Sequence, residues 1–319
     1  MRSRARGGVA PMDSHSRWAL ILAGGDGTRL RPLTRQLAGD DRPKQFCRLL
    51  GSETLLEQTL RRSARVIAPA RTLTVVVDEH ERFYGPLLAG VPSHRLVIQP
   101  DNRGTAPAIL YGLLRLSAVG AAGSVAMFPS DHYISDDEAF AGFVRRAFEA
   151  VEARPDLVIL LGVAPDSAEV GYGWIELGEG ISSPATDLYR VRRFWEKPSA
   201  ALAQMLLTRG CLWNSFVIVA NIAALLALFK SAVPHLFDYF VPVRSRLTTS
   251  REAETLGALY ARLESTDFSR EVLARSPANL AVLHLNDIGW SDLGEPRRVM
   301  AALARIEAQC GVTGVQEGA

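Results

Sequence analysis

Short apolar, β-branched runs alternate with helix-patterned segments through the first half of the chain, and that alternation narrows the possible folds more than any other feature. Trp18 to Leu22, Leu73 to Val77, Leu96 to Ile98, Val125 to Phe128 and Leu157 to Val163 read as buried strands. Between them, Leu55-Leu56 with Thr59-Leu60, Ala106 to Leu116 and Phe140 to Val151 have the spacing of one helical face. Parallel strands need connections as long as a helix, so this order predicts an α/β fold: a Rossmann-like, mostly parallel (mixed) sheet flanked by helices. Ligands of such sheets bind beyond the carboxyl ends of the strands, and the loops there are where chemistry is expected.

From about Gly171 the pattern shifts to segments punctuated by Gly and Pro: Tyr172 to Leu177, Tyr189 to Trp195, Trp213 to Val219 and Leu280 to Leu285, with helices between Ala200 and Leu263. No internal repeat or long linker is visible, so residues 17–296 read as one domain in two halves, about 17–165 and 166–296. Residues 1–16 read as a disordered tail, or as sequence upstream of a start at Met12. Residues 297–319 read as a closing amphipathic helix, Arg297 to Gln309, and a frayed end.

The chain has 319 residues, 48% hydrophobic and 22% charged, enough for a large core. Net charge is +2, but the first sixteen residues carry Arg2, Arg4 and Arg6 against Asp13, so the body is formally neutral. Nucleic-acid binding needs a concentrated basic face and is not expected. The basic start has no apolar core of a secretory signal, and the longest apolar stretch, Phe216 to Phe229, contains Asn221 and falls short of the ~18 residues of a membrane span. A cytoplasmic protein without membrane association is expected. Cys47, Cys211 and Cys310 are odd in number and widely spaced, which favours reduced structural thiols over zinc or disulfides.

Only three of the 36 basic residues are lysines. Lys44 in Arg42-Pro43-Lys44-Gln45-Phe46 and Lys197 in Trp195-Glu196-Lys197-Pro198 sit in proline-marked turns, whereas Lys230 ends an apolar run and reads as a snorkelling surface residue. An ammonium is a compact point charge where guanidinium is a wide fork, so the two turns select for a narrow anion contact. Directly after the first strand comes Leu22-Ala23-Gly24-Gly25-Asp26-Gly27-Thr28-Arg29-Leu30. Glycines there let backbone N–H groups approach anionic oxygens, and Arg29 adds charge. Leu30 stands where a dinucleotide fingerprint needs glycine, and a P-loop Gly-Lys-Ser/Thr is absent; a Rossmann dehydrogenase is therefore disfavoured.

With Pro43-Lys44-Gln45 following, the chain resembles the sugar nucleotidyltransferases, and within them the mannose-1-phosphate guanylyltransferases, whose pattern reads LAGGxGTRLWPLSR and then PKQF. Arg31 stands at the usual tryptophan. Gln99-Pro100-Asp101-Asn102-Arg103-Gly104-Thr105-Ala106 is similar to EPxGRNTAPA, with Gln99 for glutamate and Gly104 for asparagine. Pro129-Ser130-Asp131-His132 resembles PADH, Gly171 to Ile175 resembles GYGYI, Trp213-Asn214-Ser215 resembles WNSG and Gly289 to Gly294 resembles GWSDVG. The motifs keep the family's order from Ala19 to about Val299. The last lies near the chain's end, so neither a C-terminal isomerase-type domain nor a β-helix is expected.

The resemblance implies a nucleotide half and a sugar-phosphate half. Leu22, Ala23, Gly24, Gly25, Gly27, Thr28, Arg29, Lys44, Gln99, Arg103, Thr105 and Ala106 would bind the nucleotide. Gly173, Glu196, Lys197 and Asn214 would bind the sugar phosphate. Asp131 and Asp292 would hold Mg²⁺, the expected cofactor, and with Arg29 and Lys44 would carry catalysis. The substrates implied are GTP and mannose 1-phosphate, joined by in-line attack on the α-phosphorus.

Taken singly, Asp131 reads first as a turn or helix N-cap carboxylate before Tyr133-Ile134, and Asp292 equally as a cap near Pro296, with Asp287 in reserve as a ligand. His132 reads as a packing or supporting group, because a sugar phosphate is already anionic and needs no base. Trp174, Trp195, Trp213 and Trp290 read as core by default. Asp267 to Arg270 departs from the family's DYAVME-like stretch and takes no role. The same reaction with another nucleotide or sugar, such as glucose 1-phosphate or heptose 1-phosphate, and a non-catalytic sugar-nucleotide-binding regulator are the competing readings. Oligomeric state is not legible, and a homodimer stays open.

Overall fold

The computed structural model describes residues 17–182 and 187–313, with side chains to residue 308. The expected tail at 1–16, the chain end at 314–319 and the Cys310 side chain lie outside that set. Nine strands form one sheet: β1 (Arg17–Leu22), β2 (Thr72–Val77), β3 (Leu96–Gln99), β4 (Ser124–Pro129), β5 (Val158–Val163), β6 (Gly173–Gly180), β7 (Leu188–Glu196), β8 (Leu212–Asn221) and β9 (Leu280–Leu285). Their order is β3-β2-β1-β4-β8-β5-β9-β7-β6, with β6 also touching β8. The neighbours β3, β2, β1 and β4 are parallel, as are β5 and β9. β8 runs antiparallel between β4 and β5, which makes the sheet mixed.

The central strands are covered on both faces, which is why β4 and β5 are buried and largely apolar along their length, whereas β7, toward one edge, carries the exposed Arg192 and Arg193. Successive residues of β1 go to opposite faces: Leu20 joins one core with Val75, Met127, Leu160 and Val282, while Ala19 and Ile21 join another with Val76, Phe128, Ile159 and Leu283. The first face is covered by helices Thr105–Ala118 and Ile222–Ala232, the second by Leu55–Ser63, Asp137–Ala153 and Ala200–Thr208. Truncating a fully buried residue such as Ile21 to alanine would cost about 2–5 kcal/mol.

Helix starts follow local chemistry. Thr54 and Glu57 form a reciprocal capping box ahead of Leu55–Ser63. Asp136, not Asp131, caps Asp137–Ala153, accepting from the N–H groups of Glu138 and Ala139 at 3.0 and 2.9 Å. A third, smaller core joins Leu30, Cys47, Leu55, Tyr133 and Leu293 to Val299 and Ala302 of the last helix, Pro296–Thr313. That helix begins one residue earlier and runs longer than the sequence pattern implied.

Among the described residues no single helix is long and apolar enough to cross a membrane. Helices Ile222–Ala232 and Pro234–Phe240 together have the composition, but they meet at a sharp bend and send Leu225, Phe229, Leu236 and Phe240 into the protein core. Cys47 and Cys211 are buried and free; burial pushes the Cys47 thiol up and the Cys211 thiol up to about 11, as inert packing groups.

Candidate active site

A cleft of about 430 Å³ opens at the carboxyl edge of the parallel strands. The glycine-rich loop leaves β1 there, Gln99 ends β3, Asp131 lies two residues past β4, and Asp292 sits in the loop after β9. β8 runs the other way and so brings its first residues, Asn214 among them, to the same edge, and the start of β6 pairs antiparallel with them, which places Gly173 beside Asn214. Glu196 closes β7 opposite Gly173 in the ladder.

Asp131 and Asp292 are far apart in the chain and meet through one isolated antiparallel bridge. Tyr133 N–H donates to the Ser291 carbonyl at 2.8 Å and Ser291 N–H returns to Tyr133 at 3.0 Å, while Ser135 N–H reaches the Ile288 carbonyl. Lys44 spans the joined loops: its Nζ donates to the Asp292 carbonyl at 2.6 Å and pairs with Asp131 Oδ2 at 3.0 Å. The residue is only 7% exposed, so these oxygens are what permit a charge to remain there. Next to it, Gln45 Nε2 donates to the carbonyls of Ala23 and Gly25, fixing the glycine-rich loop against the Lys44 turn. Gly27 has φ +60 and a Cβ there would lie 2.9 Å from Lys44 N, so close approach of the two segments requires glycine.

Each carboxylate is oriented by its own support. Asp292 Oδ1 accepts from Tyr172 Oη at 2.9 Å, Gly294 N–H at 2.9 Å and Arg298 at 2.6 Å. Arg298 comes from the last helix, lies over the Tyr172 ring and also pairs with Glu169. His132 Nδ1 accepts from Trp290 Nε1 at 3.2 Å, leaving Nε2 3.7 Å from Asp131 Oδ1. Burial drives the imidazole pKa down against the pull of Asp131, and the Trp290 hydrogen bond on Nδ1 turns Nε2, which carries the proton, toward Asp131. Burial raises both carboxyl pKa values in isolation, but Lys44 and His132 hold Asp131 below the usual range, and His132, Arg298 and Lys44 do so for Asp292.

The far end of the cleft is looser. Lys197 Nζ pairs with Glu196 Oε1 at 3.2 Å, yet its side chain is 51% exposed. Its backbone has φ +48, an uncommon conformation for a residue with a Cβ, and its N–H donates to the Tyr172 carbonyl. The Glu196 carboxyl is buried, and burial, aided by the charge of Asp267, pushes its pKa up against Lys197. A Cβ on Gly173 would meet Phe194 at 2.8 Å and Glu196 Oε2 at 3.0 Å, so that position has no room for a side chain. Asn214 is buried, and its Oδ1 accepts from Phe216 N–H.

Of the residues expected from sequence, Leu22, Gly24, Gly25, Arg29, Lys44, Gln99, Thr105, Asp131, Gly173, Glu196, Lys197, Asn214 and Asp292 line the cleft. Ala23, Gly27, Thr28, Arg103 and Ala106 fall outside its lining; Ala106 N–H is already committed to the Thr266 carbonyl. Asp287 is exposed and outside the cleft, as is Arg31. Trp174 is fully buried core, whereas Trp290 reaches the lining. Sequence reasoning missed Tyr172 as an Asp292 partner, Asn102, which donates to Asp26, and the wall formed by Ser265, Asp267 and Ser269. It also missed Arg298, whose one available signal was its position a turn and a half past Asp292.

Among the described residues no group of three or more His, Cys, Asp or Glu side chains gathers as a metal cluster. Two carboxylates fit a hard, oxygen-seeking ion that keeps waters and phosphate oxygens in its shell. Three hydrogen bonds fall on Oδ1 of Asp292, leaving Oδ2 as the outer oxygen for such an ion.

Two carboxylates, an ammonium and a glycine-rich loop at one sheet edge define a cleft for reacting phosphate groups. The chain belongs to the nucleotidyl transferase family, which it matches over residues 18–309. It is 32% identical over 286 residues to the xanthan biosynthesis protein XanB of Xanthomonas campestris pv. campestris (strain B100), covering 86% of this chain and 57% of that protein. Against the mannose-1-phosphate guanylyltransferase of Escherichia coli (strain K12) the identity is 31% over 288 residues, covering 87% of this chain and 58% of the relative. The chain thus spans little more than half the length of these relatives. A solved structure from Thermus thermophilus, described as a mannose-1-phosphate geranyltransferase, superposes with TM-score 0.74 at 33% identity, over 88% of this chain and 76% of that one.

Proposed function

We propose that the chain is a magnesium-dependent mannose-1-phosphate guanylyltransferase, making GDP-mannose and pyrophosphate from mannose 1-phosphate and GTP in the cytoplasm. One observation carries the reading: Asp131 and Asp292 converge around Lys44 at one end of a cleft whose other end holds Glu196, Lys197 and Asn214. The sugar phosphate oxygen attacks the α-phosphorus, the bond to the oxygen bridging toward the β-phosphorus breaks, and pyrophosphate leaves with that electron pair. No proton is removed from the nucleophile, which agrees with His132 standing between Trp290 and Asp131 as a support rather than as a base.

Catalysis on this reading is alignment and electrostatic stabilisation. Arg29 and the glycine-rich loop orient the triphosphate, and Lys44 stabilises charge that develops at the α-phosphoryl group. Lys197 anchors the sugar phosphate, while Glu196 and Asn214 bind hydroxyls. Asp131 and Asp292 would hold Mg²⁺, which supplies charge neutralisation among crowded phosphate oxygens.

The test is pyrophosphate release with mannose 1-phosphate, GTP and Mg²⁺. It is expected with the wild type and lost by about a hundred-fold or more in Asp131→Ala and Asp292→Ala. The departures at Gln99 and Gly104 make the base the first thing to vary. Turnover of another nucleotide or sugar phosphate far above GTP with mannose 1-phosphate would overturn the specificity, and tight binding with no turnover of any pair would overturn the enzyme.

A further inference from the structure

The wall formed by residues 265–269 overlaps the stretch Asp267 to Arg270, which departs from the family pattern, and its anchoring is specific. Thr266 N–H donates to the Arg103 carbonyl at 3.0 Å, Ala106 N–H donates back to Thr266 at 3.0 Å, and Phe268 N–H donates to Thr105 Oγ1 at 2.8 Å. Gly104 has φ +87, and a Cβ there would fall 2.5 Å from the Thr266 carbonyl oxygen, so the asparagine usual at this position would push the two segments apart. Phe268 is fully buried between Phe229 and Phe216. A five-residue π-turn, Ser269–Leu273, follows, a geometry often found at functional sites.

Asp267 is therefore held between two fixed neighbours, yet it is only half-buried and lines the cleft together with Ser269. Its Oδ1 accepts from Arg270 N–H at 2.8 Å, which accounts for one carboxylate oxygen. The second has no hydrogen-bond partner among the described residues. A second carboxylate close enough to act on Glu196 would work against binding an anionic ligand unless it does something else. Carboxylates are acceptors only, and a sugar ring offers hydroxyl donors.

We infer that Asp267 is a specificity-determining residue that accepts a hydrogen bond from a sugar hydroxyl, so that the sugar is held by two carboxylates, Glu196 and Asp267, while Lys197 takes its phosphate. The inference rests on the proposed reading of the site. It names the ligand class as a hexose phosphate whose ring bears no charged substituent other than the phosphate, with free hydroxyls directed at the 265–269 wall.

The test is calorimetric binding of mannose 1-phosphate and its 2-, 3-, 4- and 6-deoxy analogues to the wild type and Asp267→Ser, with steady-state KM values alongside. Serine retains the capping oxygen but is too short to reach the sugar. Asp267→Ser is expected to weaken mannose 1-phosphate binding about ten-fold, with KM for the nucleotide, kcat and melting temperature little changed. One deoxy analogue should bind the wild type about ten-fold worse than mannose 1-phosphate but bind the variant no worse. A merely structural role would erase no such difference.

Equal losses for every analogue in both proteins, or a matching rise in nucleotide KM, overturn the inference. Should mannose 1-phosphate bind without turnover, the proposed function fails while the hydroxyl contact is still decided by the same titrations. If mannose 1-phosphate, glucose 1-phosphate and galactose 1-phosphate all fail to bind the wild type, the inference falls with its ligand.

Discussion

Lys44 and Lys197 enter the same cleft under opposite conditions. Lys44 is buried, with its ammonium already satisfied by the Asp292 carbonyl and the Asp131 carboxylate, and its turn is tied to the glycine-rich loop by Gln45. Lys197 is half-exposed on a left-handed backbone, with Glu196 as its ion-pair partner. The first end is organised before any ligand arrives, as electrostatic stabilisation of a reacting centre demands. The second, on the proposed reading, presents an accessible cation to the sugar phosphate. One chemistry therefore needs two kinds of lysine, and substitutions should separate them.

The largest contrast is expected from arginine. Lys44→Arg puts a wide fork into a space sized for a point charge and should lower kcat/KM by about a hundred-fold to a thousand-fold, with the circular-dichroism spectrum unchanged. Lys197→Arg, at an open position, should stay within about five-fold. Similar losses in both would erase the distinction.

Gly27→Ala tests whether the organised end depends on its close backbone contact. A Cβ at φ +60 facing Lys44 N should cost about 1–3 kcal/mol of stability and raise the KM for the triphosphate more than that for the sugar phosphate. Equal melting temperatures for variant and wild type would show that the loop can move away freely.

The smallest effect concerns pH at the open end. Burial and Asp267 raise the Glu196 pKa in the folded state, so the native protein binds this proton more readily than the unfolded chain does. Stability from this group thus increases as pH falls through the raised value toward the ordinary glutamate range, the reverse of an ion-paired carboxylate. Over the same window the sugar-phosphate KM should climb as Glu196 loses its charge. Glu196→Gln should mimic the protonated form, melting slightly higher than the wild type at neutral pH and binding mannose 1-phosphate more weakly.

The organised end was also the more legible in sequence, and for a physical reason. Its glycine loop and Asp131 stand beside strand ends that hydrophobic runs announce, and Lys44 and Asp292 sit in proline- or glycine-marked turns, so local pattern and site coincide. The segments that form β6 to β9 stood out only through their Gly and Pro punctuation, and the antiparallel insertion of β8 between β4 and β5 was not legible, because strand order depends on packing of the whole chain. Asp131 alone looked like a helix cap, and only the structure hands that task to Asp136. Arg298 was invisible because it belongs to a helix whose amphipathic pattern already explained it. Gly104 read as a departure from the family, and its φ and the Thr266 carbonyl show why a side chain fails there.

The bridge between Tyr133 and Ser291 has a consequence for biosynthesis. It closes a circuit across about half of the polypeptide, and contacts of such long range form late. A nascent chain halted on the ribosome before residue 291 emerges can already build β1 to β4 but has no partner for the Asp131 loop. Competence should therefore switch on abruptly as the last helix clears the exit tunnel, so that incomplete products do not consume nucleotide.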